Sequence, residues 1–486
     1  MSARIEDAKE SKLPMPSTSV DDDADAPVIH QTGISYFAAF INFFKGCVGV
    51  GIFSLPYFAA FINFFKGCVG VGIFSLPLAL KDAGLCGLFM LFLFGFLNCL
   101  GMTQLVRSAQ YLARKNGGKE RLEFGQVAFD ACKHSFNFVR PYGSHLKFLV
   151  NLCVFMIQIG ISAIYYVFVA VHIQQLVEYF TSIRVSEVMY LFAVFVPFVL
   201  ASYLRNLRAI AVLSAIGSVC ILFCIAVIFQ YLLRQPHQEL SLPWFKDFDG
   251  IMTAGGSILY AFEAQALVLP IENKIKKPEQ MVGWNGVLSI GMFFITWIYA
   301  ATAFLGFIVY GDAVKGSIAL NLPEEPVYVA LKGFLALVVY ATFSIQIYVI
   351  VELTFPTISG YFFQKVNRGK TGPENSSKCA VLSLELFYRT FLVSMCVLIA
   401  LCIPNLEQII SFVGSTCGMM IAFFFPPLLD SLTFLPVLFK KHSRATPSKK
   451  FGLKLKIVFK IVQNVFLAFL GIFGCVGGLQ ASIRGM

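Results

Sequence analysis

A glutamate stands inside a long apolar stretch of the chain, in the segment AFEAQALVLPIEN that runs from Ala261 to Asn273. An ionised carboxylate near the middle of a membrane costs at least about 2.5 kcal/mol, so Glu263 is expected to be paired, protonated or in contact with water. A buried carboxyl group of this kind can bind and release a proton, which makes Glu263 the first candidate for proton transfer. The alternative is a structural role, in which Glu263 accepts hydrogen bonds from opened backbone of its own helix.

A glycine-rich run, KGCVGVG at 66–72, interrupts a second apolar stretch. Non-helical backbone is tolerated inside a membrane only where it is buried or lines a cavity, so a helix broken by these glycines indicates a binding site. The N-terminal end of the half-helix that follows would present N–H groups and a partial positive charge, which suit a carboxylate. The alternative is a glycine face for close helix packing.

The elements that carry these residues are membrane-spanning helices. With 57% hydrophobic and 13% charged residues, the chain is far more apolar than a soluble domain. A helix needs about 20 apolar residues to cross a bilayer, which predicts an all-α polytopic membrane protein with about eleven spans. We place them at about 57–80, 84–107, 147–180, 186–204, 209–233, 251–272, 284–310, 327–362, 382–403, 406–430 and 457–482. The glycine run interrupts span 1 and the Glu263 segment interrupts span 6, a spacing typical of inverted five-helix repeats.

The basic residues predict the orientation. Loops that follow even-numbered spans are rich in Lys and Arg, and loops that follow odd-numbered spans are poor in them, which places the even loops and the N-terminus in the cytosol and Met486 on the far side. The net charge of +11 is thereby explained without a nucleic-acid partner. The sequon at Asn375 falls in a cytosolic loop and is expected to carry no glycan.

The segment YFAAFINFFKGCVGVGIFSLP occurs twice in tandem, at Tyr36–Pro56 and at Tyr57–Pro77, without one change. Only one copy is needed for span 1, and an extra broken helix would have no cavity to line. We expect residues 1–33 to be a disordered cytosolic tail, 34–56 to be a peripheral extra copy and 57–486 to form the transmembrane domain. In the alternative arrangement the first copy, Tyr36–Pro56, forms span 1 and the second copy, Tyr57–Pro77, is displaced from it.

Four further residues are candidates for coupling or gating. Glu272 ends span 6 beside three lysines and suits a gate or a salt bridge, and Glu352 is an intramembrane carboxylate on span 8. Thr342 and Ser344 carry hydroxyl oxygens that would suit Na⁺, although such hydroxyls often bond to their own helix. No Cys spacing resembles a metal site, and no nucleophile and base stand at a spacing that indicates an enzyme.

Three segments resemble the first, sixth and tenth spans of the amino acid/auxin permease family: GCVGVGIFSLPLALKDAG, YAFEAQALVLPIENKIKKPEQM and FVGSTCGMMIAFFFPPLL. Within that family the sequence is most similar to the animal proton-coupled amino acid transporters, and the resemblance covers essentially all residues after about 34. It implies the LeuT-like fold of the APC superfamily. It also implies symport of small neutral amino acids with protons, and no cofactor besides the coupling ion.

Carried onto this sequence, the resemblance implies that the substrate carboxylate meets the backbone of the glycine run, that Phe262 forms an aromatic wall or gate, and that carbonyls around Tyr260 and Ala261 hold the ammonium. The residues it assigns to the site on span 1 are Asn63, Lys66, Gly67, Cys68, Val69, Gly70, Val71 and Gly72. One position departs from the pattern. Several proton-coupled members carry His where this chain has Asn63, and Asn does not titrate in the useful range, so another group must carry the proton.

Two functional alternatives remain open from the sequence. In the first alternative the chain transports an amino acid across the membrane. In the second it is a sensor that binds the same amino acid with little net flux. Sodium is the alternative coupling ion, through Thr342 and Ser344. The plasma membrane and an endosomal or lysosomal membrane fit the sequence equally well.

Overall fold

The chain is described by a computed structural model that covers residues 64–65, 68–118, 122–181, 184–205, 207–236, 243–262, 265–273, 275, 278–283, 286–366, 378–403 and 405–485. The regular elements in these ranges are helices. Nine of the described helices are long and apolar enough to cross a membrane. They correspond to predicted spans 2, 3 and 5–11. Predicted span 4 is the shorter apolar helix Glu187–Ser202, and span 1 is described from Phe64 onward.

The bounds of the spans follow the apolar segments. Span 1 ends with the 3₁₀ turn Val71–Ser75 and the α-helix Leu76–Ala83. The others are Leu85–Lys115 (span 2), Gly143–Thr181 (span 3), Glu187–Ala193 with Phe195–Ser202 (span 4), Leu207–Arg234 (span 5), Phe248–Ala261 with Gln265–Glu272 (span 6), Val287–Tyr310 (span 7), Pro326–Val366 (span 8), Lys378–Cys402 (span 9), Leu406–Val413 through two π-helical segments, Gly414–Gly418 and Met420–Phe424, to Phe425–Arg444 (span 10), and Pro447–Gly485 (span 11). A further helix, Phe124–Lys133, lies between spans 2 and 3.

Three predicted boundaries are wrong by more than two turns. Span 2 continues to Lys115 instead of ending near 107. Span 10 continues to Arg444 instead of ending near 430, and span 11 begins at Pro447 instead of near 457. Apolar content marks only the part of a helix inside the hydrocarbon, whereas the helix itself continues into the polar boundary. Lys441, His442 and Arg444 in the last turn of span 10 favour this extension, because cations stabilise the negative end of a helix.

Spans 6 and 10 pack with their backbones almost in contact. A Cβ atom at Gly414 would lie 1.9 Å from the carbonyl oxygen of Gly256, and one at Gly256 would lie 2.3 Å from that of Ser411. The hydroxyls of Ser257 and Ser411 lie 2.8 Å apart across the same contact. Small residues permit this approach, and it fixes the first half of span 6 against span 10.

Buried charges in the bundle are compensated by partners on neighbouring helices. Asp430 on span 10 lies 2.9 Å from the ammonium of Lys460 on span 11 and accepts a hydrogen bond from Asn464. On span 9, Glu385 pairs with Arg389 at 2.9 Å and with Arg205 at 2.7 Å. Removing one partner from such a pair leaves an uncompensated charge, so these clusters hold the outer spans together.

Candidate functional site

Span 1 is interrupted at the glycine run. The chain is helical at Phe64 and Phe65, and it leaves the helix at Val69 and Gly70, where Gly70 has extended backbone angles of φ −113° and ψ −162°. The helix resumes at Val71 as a 3₁₀ turn, which is tighter than an α-helix. Within this turn the Ser75 hydroxyl donates a hydrogen bond to the Gly72 carbonyl at 2.8 Å. The residues from Cys68 to Pro77 are almost all buried, so the opened backbone faces protein and not lipid.

Span 6 is interrupted beside Phe262. Its first half ends at Ala261, and its second half begins at Gln265. Asn98, on span 2, donates from Nδ2 to the Phe262 carbonyl at 3.3 Å and accepts a hydrogen bond from Gln265. Asn98 therefore connects the last residue before the break to the first helical residue after it.

A single hydroxyl on span 7 links the two interruptions. Tyr299 is fully buried, and its hydroxyl lies 2.6 Å from the carbonyl oxygen of Cys68 and 3.0 Å from that of Ala261. One hydroxyl proton is thus shared between the carbonyl group where span 1 opens and the carbonyl group where span 6 opens. The ring of Tyr299 also packs against Phe262, with centroids 5.0 Å apart. Tyr299 is therefore a positioning residue for both breaks.

The two breaks touch at Gly72. A Cβ atom there would lie 2.8 Å from the Cα of Ala261 and 3.3 Å from the ring of Tyr260. Carbon atoms in contact prefer about 3.5–4.0 Å, so only glycine allows the second half of span 1 to lie this close to the end of the first half of span 6.

The ends of the half-helices supply complementary polar groups at this contact. The N–H groups of Val71 and Gly72 belong to the first turn of a helix, where N–H groups have no acceptor within the helix, and the carbonyls of Leu259 to Ala261 belong to the last turn of another. Gln265 adds a side-chain acceptor, because its Oε1 is buried without a hydrogen-bond partner among the residues that the structure describes. The arrangement offers donors for a carboxylate beside acceptors for an ammonium.

Most of the predicted site residues converge at these breaks. The structure brings together Cys68, Val69, Gly70, Val71 and Gly72 from span 1 with Tyr260, Ala261 and Phe262 from span 6. Phe262 packs between span 2 and span 7, since its ring lies against Gly95 and Tyr299. The predicted residues that lie outside the described part of the chain are Asn63, Lys66, Gly67 and Glu263.

The remaining candidates lie away from the breaks. Glu272 is buried and accepts a hydrogen bond from Gln110 at 3.2 Å, which ties the end of span 6 to span 2. Glu352 is on an exposed face of span 8. Thr342 donates to the Val338 carbonyl and lies beside span 5, and Ser344 donates to a carbonyl of span 4.

Three residues that contact the breaks were not among the predicted site residues: Asn98, Gln265 and Tyr299. Asn98 and Gln265 are amides inside apolar helices, and that isolation is a signal for an intramembrane polar site. Tyr299 gives no such signal, because a tyrosine among aromatic and aliphatic residues is typical of packing. Only the tertiary structure shows that its hydroxyl reaches both breaks.

Charged residues join several helix ends and a loop at one end of the bundle. Lys81, just beyond the predicted end of span 1, donates to the Val314 carbonyl at 3.0 Å and lies 3.5 Å from Glu407 at the start of span 10. In the same region Lys246 pairs with Asp312 at 2.8 Å. These contacts join span 1, span 10 and the loop 311–321 above the breaks.

The chain is similar in sequence to known membrane proteins. A family model described as "Transmembrane amino acid transporter protein" matches residues 58–477, beginning within the second copy of the repeat. The chain is 30% identical over 398 residues to "Probable amino acid transporter skat-1" of Caenorhabditis elegans, covering 81% of this chain and 82% of that protein. It is 28% identical over 372 residues to "Proton-coupled amino acid transporter-like protein pathetic" of Drosophila melanogaster, covering 75% and 71%.

Among solved structures the chain is similar to a substrate-bound, outward-open Na⁺-coupled sialic acid symporter, with a TM-score of 0.47 and 13% identity over 92% of this chain and 95% of that one. It is also similar to MhsT in complex with L-phenylalanine, with a TM-score of 0.44 and 12% identity over 87% and 98%.

Proposed function

This chain belongs to the transmembrane amino acid transporter family, and we propose that it is a secondary active symporter of small neutral amino acids, coupled to protons and working by alternating access. The observation that carries the proposal is the pair of opposed helix breaks joined by Tyr299. A site formed by backbone at the middle of two broken spans is the usual binding place of secondary transporters.

The polar groups of the breaks support an α-amino acid as the substrate. The N–H groups of Val71 and Gly72 suit its carboxylate, and the carbonyls of Tyr260 and Ala261 together with Gln265 Oε1 suit its ammonium. Ala261 already accepts a hydrogen bond from Tyr299, but a carbonyl oxygen has a second lone pair for an ammonium donor.

The surroundings of the breaks support a small, uncharged side chain. Most of the described side chains that follow the break in span 1 are apolar and buried, including Val71, Ile73 and Phe74, and so is Phe262. A charged substrate side chain would have to be desolvated against them, which is costly without a partner. The close contact of Gly72 with Ala261 also favours a small substrate.

A proton is the proposed coupling ion, and Glu263 is the proposed carrier. Glu263→Gln keeps the shape of the side chain and removes its titration, so accumulation of substrate against a gradient should fall to the level of empty vesicles. Exchange of labelled for unlabelled substrate, which needs no net proton movement, should persist. Both rates are measured in proteoliposomes with radiolabelled alanine.

A matched control for this variant is Glu352→Gln, which neutralises an exposed acid of span 8 and should leave accumulation within about twofold of wild type. Unchanged accumulation in Glu263→Gln would exclude Glu263 as the carrier.

The proton is preferred to sodium because the candidate sodium ligands are engaged elsewhere. The hydroxyls of Thr342 and Ser344 donate to carbonyls of Val338 and Ala201 at 2.8 and 3.0 Å, and Thr342 faces span 5. A sodium site needs several oxygens converging on one point, and these two hydroxyls are directed to different neighbours.

Span 1 is proposed to come from the second copy of the repeat. The described residues of that copy, Phe64, Phe65 and Cys68–Pro77, run directly into the helix Leu76–Ala83 and pack in the core of the bundle. The first copy, 36–56, lies outside the described residues. We place the protein in the plasma membrane or in an endosomal or lysosomal membrane, with the N-terminus cytosolic.

Uptake by proteoliposomes tests the proposed function. The purified chain is reconstituted, and uptake of radiolabelled glycine, alanine and proline is measured with and without an inward proton gradient, in sodium-free buffer and in sodium buffer. We expect uptake that is driven by the proton gradient and is indifferent to Na⁺. Uptake that requires Na⁺ and ignores pH would overturn the proton coupling, and binding without flux would assign the chain to the sensors.

A further inference from the structure

Positive charge is concentrated at one end of spans 10 and 11. Between Ser431 and Met486 the chain contains no Asp or Glu. The segment 440–456, called the basic hairpin below, contains seven Lys and Arg residues: Lys440, Lys441, Arg444, Lys449, Lys450, Lys454 and Lys456. Orientation in the membrane needs only a modest excess of basic residues. A cluster of this size beside membrane helices is typical of a surface that attracts anionic lipid.

The structure gathers these cations on two connected helix ends. Span 10 ends at Arg444 and span 11 begins at Pro447, so that only two residues separate the helices and all the cations lie at the same end of the bundle. The residues of span 11 that carry four of the charges are exposed. The nearest acid in the sequence, Asp430, is already paired with Lys460, deeper in the bundle.

An apolar stripe fixes the level of the basic hairpin relative to the bilayer. Phe451, Leu455, Phe459 and Val462 follow one another at helical spacing, and each is at least 62% exposed. The stripe continues the outward face of span 11, so the first turns of that helix lie at the edge of the lipid. At about 100° per residue, Lys449, Lys450, Lys454 and Lys456 fall on the remaining part of the helix circumference. The aliphatic parts of these lysine side chains are long enough to extend from the edge of the lipid to the headgroups.

An apolar cleft opens beside the basic hairpin. It has a volume of about 370 Å³ and lies between span 10 and the segment that leads into span 3. Its lining residues are Cys132, Phe138, Val139, Tyr142, Leu146, Leu428 and Leu432. Phe136, in the same segment, packs against Phe439, the residue immediately before the hairpin, with ring centroids 6.2 Å apart. The cleft and the cations therefore belong to one region of the surface, and an acyl chain is the kind of group that such a lining accepts.

We infer that the basic hairpin binds an anionic phospholipid, with the headgroup on its lysines and an acyl chain in the adjacent cleft. The ammonium groups neutralise the phosphate, and the apolar cleft and stripe hold the lipid at the level at which those charges can reach it. This binding does not depend on the transport proposed above, and it is tested without measuring transport.

The test uses native mass spectrometry of the full chain in detergent micelles that contain equal amounts of phosphatidylserine and phosphatidylcholine. The wild type should retain phosphatidylserine preferentially. Replacing Lys449, Lys450, Lys454 and Lys456 by Gln should lower that retention at least about tenfold, given roughly a kcal/mol for each cation near a charged surface. The control replaces the same number of cations by Gln in another loop assigned to the cytosol, at Lys365, Arg368, Lys370 and Lys378, and should stay within about twofold of wild type.

A second probe, glycerophosphoserine, carries the headgroup without acyl chains and should not be retained, because the cleft then has no occupant. Should the fourfold variant elute as aggregate, Lys449→Gln with Lys450→Gln serves in its place, with a smaller loss expected. The inference is overturned by retention of phosphatidylserine that survives the hairpin variants, by an equal loss in the control variant, or by equal retention of the two lipids in the wild type.

Discussion

Replacing Tyr299 by phenylalanine is expected to lower amino acid uptake at least about tenfold while the protein remains folded. The variant keeps the ring that packs against Phe262 and removes only the hydroxyl that reaches Cys68 and Ala261. A buried carbonyl left without its donor costs about 1–3 kcal/mol, which is enough to shift the backbone at both breaks. Because the proposed substrate groups are that same backbone, a shift there lowers uptake directly.

The control is Tyr340→Phe. Tyr340, on span 8, also donates to a backbone carbonyl, that of Pro197 at 2.8 Å, but lies away from the breaks. This variant should keep uptake within about twofold of wild type. Equal uptake in the two variants would show that the hydroxyl of Tyr299 has no special part in the site.

Replacing Gly72 by alanine is expected to reduce uptake about a hundredfold or more. The added methyl group would lie 2.8 Å from the Cα of Ala261, and a backbone atom cannot rotate away from it as a side chain can. The two half-helices must then move apart by roughly 1 Å to reach an ordinary carbon contact. Displacements of that size at a binding site lower turnover by about two orders of magnitude. The measurement is the initial rate of alanine uptake at matched amounts of reconstituted protein.

Gly418→Ala is the matched control. Gly418 lies in the π-helical part of span 10, and a Cβ atom there would meet its nearest neighbours, Val413 O and Leu259 Cβ, at 3.6 and 3.8 Å, which are ordinary contacts. Uptake within about twofold of wild type is expected. Near-normal uptake by Gly72→Ala would mean that the half-helices do not hold the substrate where they touch in this structure.

The existence of the spans follows from the sequence because a membrane leaves the backbone few choices. Inside the hydrocarbon every N–H and C=O must be satisfied within the chain, so an apolar run such as 287–310 has to form a helix. That constraint ends at the polar boundary. The sequence therefore misplaces the ends of spans 10 and 11, where Arg444 and Pro447 continue the helices beyond the apolar residues.

The breaks were predictable and their connection was not. Glycines at 70 and 72 and the interruption after Ala261 mark the positions at which helices open, because glycine weakens a helix and opened backbone needs a cavity. Which side chain satisfies the opened carbonyls depends on the neighbours that the fold supplies. Tyr299 lies 38 residues from Ala261 and 231 from Cys68, and no local pattern relates it to either.

The most direct test of proton-coupled transport is a simultaneous recording of alanine uptake and internal pH in proteoliposomes that contain the purified chain and a trapped pH dye. Vesicles start with equal pH inside and outside, in sodium-free buffer with the membrane potential clamped. Adding alanine outside should acidify the interior at a rate that parallels uptake of label, and Tyr299→Phe should slow both together. Uptake of alanine without any change in internal pH, or binding of alanine without uptake, would contradict a proton-coupled symporter built on the two joined breaks.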